Sequence, residues 1–479
     1  MIDAPAATAF EPPAGATPAR LAAFGEWLRR HAPVISAAQW AIVAAYVFFV
    51  AVPAFLPLPA DDAHWYNSLA VMAQWMFWGV WWPFVILSMF VVGRAWCGLF
   101  CPEGTLTEAA SRRGLGLSVP RWLKWSGWPF VAFALTTVFG QLVSVYQYPA
   151  ATFLVLGGST LAACAVGFVY GRGKRVWCRH LCPVNGVFAV LSRLSPLHFR
   201  VDTQAWNANV KRIPVHPVNC APLVRIRRMT GPAECHMCGR CSGLHGAISL
   251  AARSPHREVV TLEPAGAQFW DALLIVFGMI GLAMGAFEWS ATAEFVSLRS
   301  AAVDLVVEHG PAWLLSDNAP WWLLTNYPEQ HDVFTWLDGA LIVGWIVATA
   351  LIVGGWVSAW LAAAARSIGG AWRANAYALA YTLIPLAGVG LFVGLSGLPA
   401  ALAHGEGLRL SWLAPARAVL LAAAAAWSMY LAYRWVAGRS RAVGEDGVLP
   451  SRRIAAVLAM AMANAGVLTA WYPYVFRGA

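Results

Sequence analysis

Apolar residues gather in nine runs of membrane length, near 38–58, 68–93, 125–148, 153–171, 267–288, 335–360, 374–398, 413–436 and 454–475. About 20 apolar residues cross the hydrocarbon core as a helix. The pattern therefore predicts an all-α polytopic membrane protein of about nine transmembrane helices. The polar connections alternate in sign. Odd-numbered ones carry Asp61, Asp62, Glu288, Glu294, Asp304, Glu308, Asp317, Glu329 and Asp332, and even-numbered ones carry clusters of arginine. Of 33 Lys and Arg, 29 fall on one side; Arg299, Arg409, Arg417 and Arg477 fall on the other. Such a bias marks the basic side as cytoplasmic, which expects a bacterial inner membrane with the N-terminus inside and the C-terminus periplasmic.

Four regions follow from this layout. Residues 1–37 form a cytoplasmic tail, with arginines and apolar residues interleaved over 19–36 as in an interfacial helix and no signal-peptide pattern before it. Residues 38–194 form a four-helix membrane unit, 195–265 a small polar, basic cytoplasmic segment, and 266–479 a five-helix region with an acidic periplasmic loop. Composition agrees, with 59% of 479 residues hydrophobic and 12% charged, against roughly 25% charged in a soluble domain. The net charge of +10 resides in the loops of one face, so it reports topology and excludes a nucleic-acid partner. Twenty-seven tryptophans suit two interfacial belts.

Eight of the nine cysteines lie in three basic stretches beyond membrane-length runs. Arg94-Ala-Trp-Cys97-Gly-Leu-Phe-Cys101-Pro102 and Arg175-Val-Trp-Cys178-Arg-His-Leu-Cys182-Pro183 repeat R-x-W-C-x-x-x-C-P at a spacing of 81 positions. Each follows the second helix of a pair, so the two pairs read as a parallel duplication that brings four thiols together at one face. The third stretch, Cys235-x-x-Cys238-x-x-Cys241, has iron–sulfur spacing, and Cys220 is the candidate fourth ligand. A ferredoxin run would place another cysteine where His245 stands, which makes His245 the alternative ligand. Zinc also suits four cysteines, or three with a histidine. For Cys97, Cys101, Cys178 and Cys182 a second cubane cluster, a redox dithiol and a soft-metal site for Cu(I) or Fe(II) all remain open.

Other features carry bland readings. Cys164 is a buried, inert thiol in the fourth span, and Met72 and Met76 are packing residues. His64, Glu329, His331 and Asp332 belong to solvated loops. No histidine pair suits an intramembrane haem, and there is no Walker motif, dinucleotide fingerprint or hydrolase elbow.

With both R-x-W-C-x-x-x-C-P motifs and the Cys235/Cys238/Cys241 run in view, residues 38–265 resemble the NapH/NosR/CcoG-type membrane polyferredoxins. The resemblance implies a [4Fe–4S] electron carrier with a second centre, a cytoplasmic or quinone donor, and a redox partner subunit in or across the membrane. The chain has one degenerate ferredoxin motif where that family has two complete ones, and five further spans after it. Its long helical tail and acidic loop look closest to the polyferredoxin component of Ftr-type ferrous iron uptake systems. The rival reading is a metal-handling membrane protein that binds or reduces Cu or Fe at the C-x-x-x-C-P thiolates. A zinc-stapled structural subunit is a third.

Overall fold

The computed structural model describes residues 19–60, 62–209, 218–442 and 449–476; Asp61, Arg477 and the first 18 residues lie outside them. Among the described residues, eight helices are long and apolar enough to cross a membrane. They are Ala32–Phe55, Leu69–Val92, Pro149–Tyr170, Phe269–Glu288, Trp336–Ile368, Trp372–Gly405, Leu413–Arg439 and Pro450–Phe476. The expected third span is the helix Trp128–Leu142, apolar but only 15 residues long. At 1.5 Å per residue it covers about 22 Å, less than the ~30 Å hydrocarbon core. It begins at a proline in its first turn and ends where Ser144 takes a left-handed backbone (φ 48°).

The fifth and seventh spans form the centre, and the others surround them. Val85, Ile86 and Met89 of the second span and Val187, Val190 and Leu191 share one core with Ile275, Leu386 and Trp471. The expected division between 38–194 and 266–479 is thus not a division of the core. Gly388 marks the closest approach: a Cβ there would stand 2.4 Å from Phe90 Cζ and 2.5 Å from Leu191 Cδ2.

After the second span the chain turns back. Gly93 adopts φ 60°, a short helix spans Ala95–Leu99, and a helix Pro102–Arg112 follows. Pro102 occupies the first turn, where its missing N–H costs nothing, and Cys101 Sγ caps the helix by accepting from Gly104 N at 3.4 Å. This helix runs parallel to the fourth span. Thr107 Oγ1 donates to Ala163 O (2.7 Å), Gly173 N donates to Ser111 O (3.1 Å), and Gly167 approaches Thr107 so closely that a Cβ would meet its O at 2.6 Å. Eleven helical residues rise about 15 Å. Cys101 therefore stands that far behind the level of Arg112 and Gly173, beside the middle of the fourth span. The motifs are recessed into the helix bundle rather than displayed on its basic face. Non-helical backbone at such depth is tolerated because protein surrounds it.

The polar segment forms a two-stranded antiparallel sheet, β1 Leu197–Val201 against β2 Ile248–Ala252, in the register Phe199↔Leu250. The N-terminal helix Ala19–Arg30 is held across β2. Leu28 is buried with Phe199, Ile248, Leu250, Cys235 and Met237, and Gly25 sits against Ser242 and Leu250. On the opposite face the acidic loop is ordered. Asp332 accepts from Tyr148 (2.7 Å), Tyr148 stacks on Tyr327 (3.6 Å), and Ser144 bonds Thr325 (2.7 Å). His64 pairs with Glu406 at 2.9 Å. Asp332 and His64 are therefore structural partners, not free loop residues.

Because the helix Pro102–Arg112 rests on Gly167, Gly167→Leu should separate it from the fourth span and displace Cys101. The expected outcome is a folded protein with Cys101 alkylated faster by maleimide, measured by mass spectrometry; an unchanged rate would contradict this packing.

Candidate metal centres

Arginine places the two repeated motifs against each other. Arg94 and Arg175 are 3% and 2% exposed. Each reaches out of its own motif. Arg94 Nη2 donates to Asn185 Oδ1 (2.6 Å), beyond the second motif, and Nη1 donates to Ala233 O (2.8 Å), beside Cys235. Arg175 Nη1 donates to Cys97 O (2.6 Å), and its Nε to Glu108 Oε2 (2.8 Å). Trp177 Nε1 donates to Glu103 Oε2 (3.2 Å), two residues after Cys101. The repeat is thus a reciprocal embrace.

Cys97, Cys101, Cys178 and Cys182 line one cavity of about 130 Å³. Its far wall is Tyr46, Phe77, Trp81, Trp82 and Leu156 from the first, second and fourth spans, and Arg94 and His236 close its basic-face end. Four thiol donors suit soft iron–sulfur ligation, and the same wall carries the Glu103 carboxylate and the His236 imidazole. Buried guanidiniums offset thiolate charge that burial would otherwise penalise. Among the described residues no group of three or more His, Cys, Asp or Glu closes on a point fit for a single metal ion. The four cysteines line one shared space.

Cys220, Cys235, Cys238 and Cys241 wall a second, tighter space of about 20 Å³ beneath Phe199, Val224 and Met229. Left-handed residues Met237 (φ 53°) and Gly239 (φ 75°) coil the loop around it, and Met237 N donates to Cys235 Sγ at 3.3 Å. Burial pushes the Cys235 thiol up to about 12 and raises Cys220 and Cys241 as well. Bare thiols here resist ionisation, and cationic iron would supply the missing compensation. His245 is not part of this wall. It adopts φ 52° and packs edge-on against Trp206, with ring centroids 4.6 Å apart. The structure gathers Cys220, not His245, with the other three. Cys164 is half-buried in the fourth span and lines neither cavity.

One residue that spacing did not single out is His236. It is 3% exposed and lines both cavities. The backbone beside it touches the first motif: a Cβ on Gly98 would lie 1.9 Å from His236 O, 2.9 Å from Cys238 N and 3.0 Å from Cys238 Cβ. The two cysteine sets are therefore in contact, chain against chain. A glycine inside C-x-x-x-C was the one available sequence signal.

A family model described as a 4Fe–4S binding domain matches residues 74–125 and 155–202. Those segments contain Cys97, Cys101, Cys178 and Cys182 and end before Cys220. The chain is 25% identical over 242 residues to the Escherichia coli (strain K12) protein YccM, whose name assigns it to electron transport, with 43% of this chain and 65% of that protein covered. It is 26% identical over 182 residues to the ferredoxin-type protein NapH of Haemophilus influenzae, covering 33% of this chain and 61% of that protein. The chain thus spans less than two thirds of the length of either relative. No solved structure matches. These comparisons show a 4Fe–4S binding domain over the segments that hold Cys97, Cys101, Cys178 and Cys182, and a likeness to electron transport and ferredoxin-type proteins.

Gly98→Ala drives a Cβ into backbone, where overpacking costs up to about 3 kcal/mol or more. It should lower the thermal midpoint and the iron content together. Gly158→Ala, with open space around its Cβ, should leave both unchanged. Iron assay and a thermal melt of the two purified variants distinguish them.

Proposed function

We propose that this iron–sulfur membrane protein, kin to electron transport and ferredoxin-type proteins, carries electrons from a donor at its basic face into the membrane. Cys220, Cys235, Cys238 and Cys241 would hold one [4Fe–4S] cluster. Cys97, Cys101, Cys178 and Cys182 would hold a second. Each cluster, when bound, supplies reversible one-electron storage; the chain's own residues bind, insulate and space the two.

The observation that carries this reading is the contact of Gly98 with His236 and Cys238. Electron tunnelling falls off steeply with distance, and here the two ligand sets share a wall. A cavity of about 340 Å³ on the basic side reaches Cys238 between Arg112, Arg175 and Arg240, which gives a cytoplasmic donor an approach. Positive-inside charge supports placing this face in the cytoplasm of a bacterial inner membrane. Electrons would then pass from Cys238's side to the recessed centre and on to a partner at membrane depth or beyond. Supply of electrons to iron uptake is the physiological setting that the five added spans resemble most.

Anaerobically purified protein should contain about eight iron and eight acid-labile sulfide per chain, the content of two cubanes. Cys178→Ser and Cys235→Ser should each reduce both to about four by removing a ligand from one site. Wild-type protein fully loaded with zinc or copper and free of sulfide would overturn the reading and favour metal handling.

A further inference from the structure

The cavity of about 340 Å³ on the basic face has a charge imbalance of its own. Its charged residues are Glu108, Arg112, Arg175 and Arg240, three guanidiniums against one carboxylate, so its wall holds two positive charges in excess. Glu108 already accepts from two of the three: Arg175 Nε donates to its Oε2 (2.8 Å) and Arg240 Nη1 to its Oε1 (2.7 Å). Arg112 stands 3.9 Å from the same carboxylate, with its side chain 67% exposed, which is beyond hydrogen-bond distance. Among the described residues Arg112 has no closer ionic partner, so it is the cation best placed to meet a guest. Ser36 adds a hydroxyl to the same wall.

The other half of the wall is apolar. Leu28, Ala32, Ile35 and Trp40, from the N-terminal helix and the first span, line the cavity. Trp40 is also exposed on the outside of the bundle, so it stands at the mouth. Phe24 and Trp27, whose rings stack at 5.8 Å, and Val34 are exposed at this end as well. Tryptophan collects where hydrocarbon meets headgroups, which sets the mouth at the headgroup level of the bilayer. A soluble anion would use the arginines alone. A molecule that joins a phosphate to a hydrocarbon chain uses both halves of the wall.

We infer that this cavity binds the headgroup of an anionic phospholipid from the leaflet on the basic side. Basic pockets between membrane helices hold such headgroups. The phosphate accepts from Arg112 and Ser36 and offsets the excess charge around Glu108. The volume lies at the small end of ligand sites, roughly 300–1,000 Å³. It takes a phosphate and the glycerol beside it and leaves the acyl chains outside, along Trp40 and the first span. Ala109 of the helix Pro102–Arg112, Ile35 of the first span and Cys238 of the cysteine loop all line the cavity. A seated headgroup therefore ties three elements together and stabilises the fold by mass action. Binding stands apart from the carrier function proposed above but bears on it, because the headgroup narrows the donor's route to Cys238.

The test uses full-length protein stripped of lipid in an uncharged detergent, with phosphatidylglycerol, phosphatidylcholine or inorganic phosphate added. Thermal midpoint and native mass spectrometry report binding, and an iron assay runs in parallel. Phosphatidylglycerol should raise the midpoint saturably and remain as a single bound lipid; the other two at equal concentration should do neither. Arg112→Gln should weaken the affinity for phosphatidylglycerol about tenfold, the loss of one hydrogen bond to a charged group. Ala109→Phe, which grows into the cavity from its helix wall, should abolish binding. Arg113→Gln, at an exposed neighbour outside the wall, should bind as the wild type does. An equal shift with inorganic phosphate overturns the lipid in favour of a free anion. An unchanged affinity in Arg112→Gln, or an equal loss in Arg113→Gln, overturns the site. A lipid effect that persists, sensitive to Arg112→Gln, in protein without iron supports the site and sinks the carrier reading.

Discussion

Glu108 is 5% exposed and accepts from two guanidiniums, Arg175 Nε at 2.8 Å and Arg240 Nη1 at 2.7 Å. These three charges belong to three separate cysteine stretches. Arg175 opens the second motif, Glu108 lies on the helix that follows the first, and Arg240 sits between Cys238 and Cys241. Pulling the stretches apart would leave Glu108 and Arg175 buried without their partners, while Arg240 is about a third exposed. Removing one partner of such a network costs about 3–5 kcal/mol, mostly through the uncompensated charge left behind. The arginines of the basic stretches therefore do more than set the charge of one face. They lock the ligand-bearing loops to one another.

That lock explains why the motifs can be recessed. A C-x-x-x-C-P loop at membrane depth exposes backbone that lipid cannot satisfy, and here its groups are met from within the protein. Cys97 O accepts from Arg175, Gly98 O accepts from Gln39 Nε2 at 2.9 Å, and Gly104 N finds Cys101 Sγ. Small residues on the fourth span let the helix Pro102–Arg112 approach closely, as expected where packing rather than water drives helix association. The consequence is functional. A centre held by Cys101 and Cys182 would face aromatic residues from the middle of the spans, with less protein between it and the opposite face.

The five-helix half, which carries no cysteine, looks chemically quiet in sequence. Its fifth and seventh spans nevertheless form the centre of the whole bundle, packed against Met89 and Leu191 of the cysteine-bearing half. Arg417, assigned by charge counting to the acidic side, is in fact buried against Tyr474 and Ser396. A hydropathy window averages such a residue away, since one charge among some twenty apolar positions barely shifts the mean.

The spans, their alternating polarity and the three cysteine stretches were legible from sequence because each is local. Membrane length follows from a run of apolar side chains, topology from where arginine falls, and ligand capacity from thiols a few residues apart. Cys220 could be named for the same reason: only one remaining cysteine lay outside a span. Where Cys220 and His245 stand relative to the other three cysteines is tertiary. A left-handed turn at His245 sends its ring to Trp206, while the coil at Met237 and Gly239 turns three thiols toward Cys220. The recess of Cys101, the shared wall at His236 and the meeting of Trp40, Arg112 and Cys238 around one cavity likewise arise between segments far apart in the chain. No spacing rule encodes them, because they depend on how buried charges and close-packed glycines bring those segments into register.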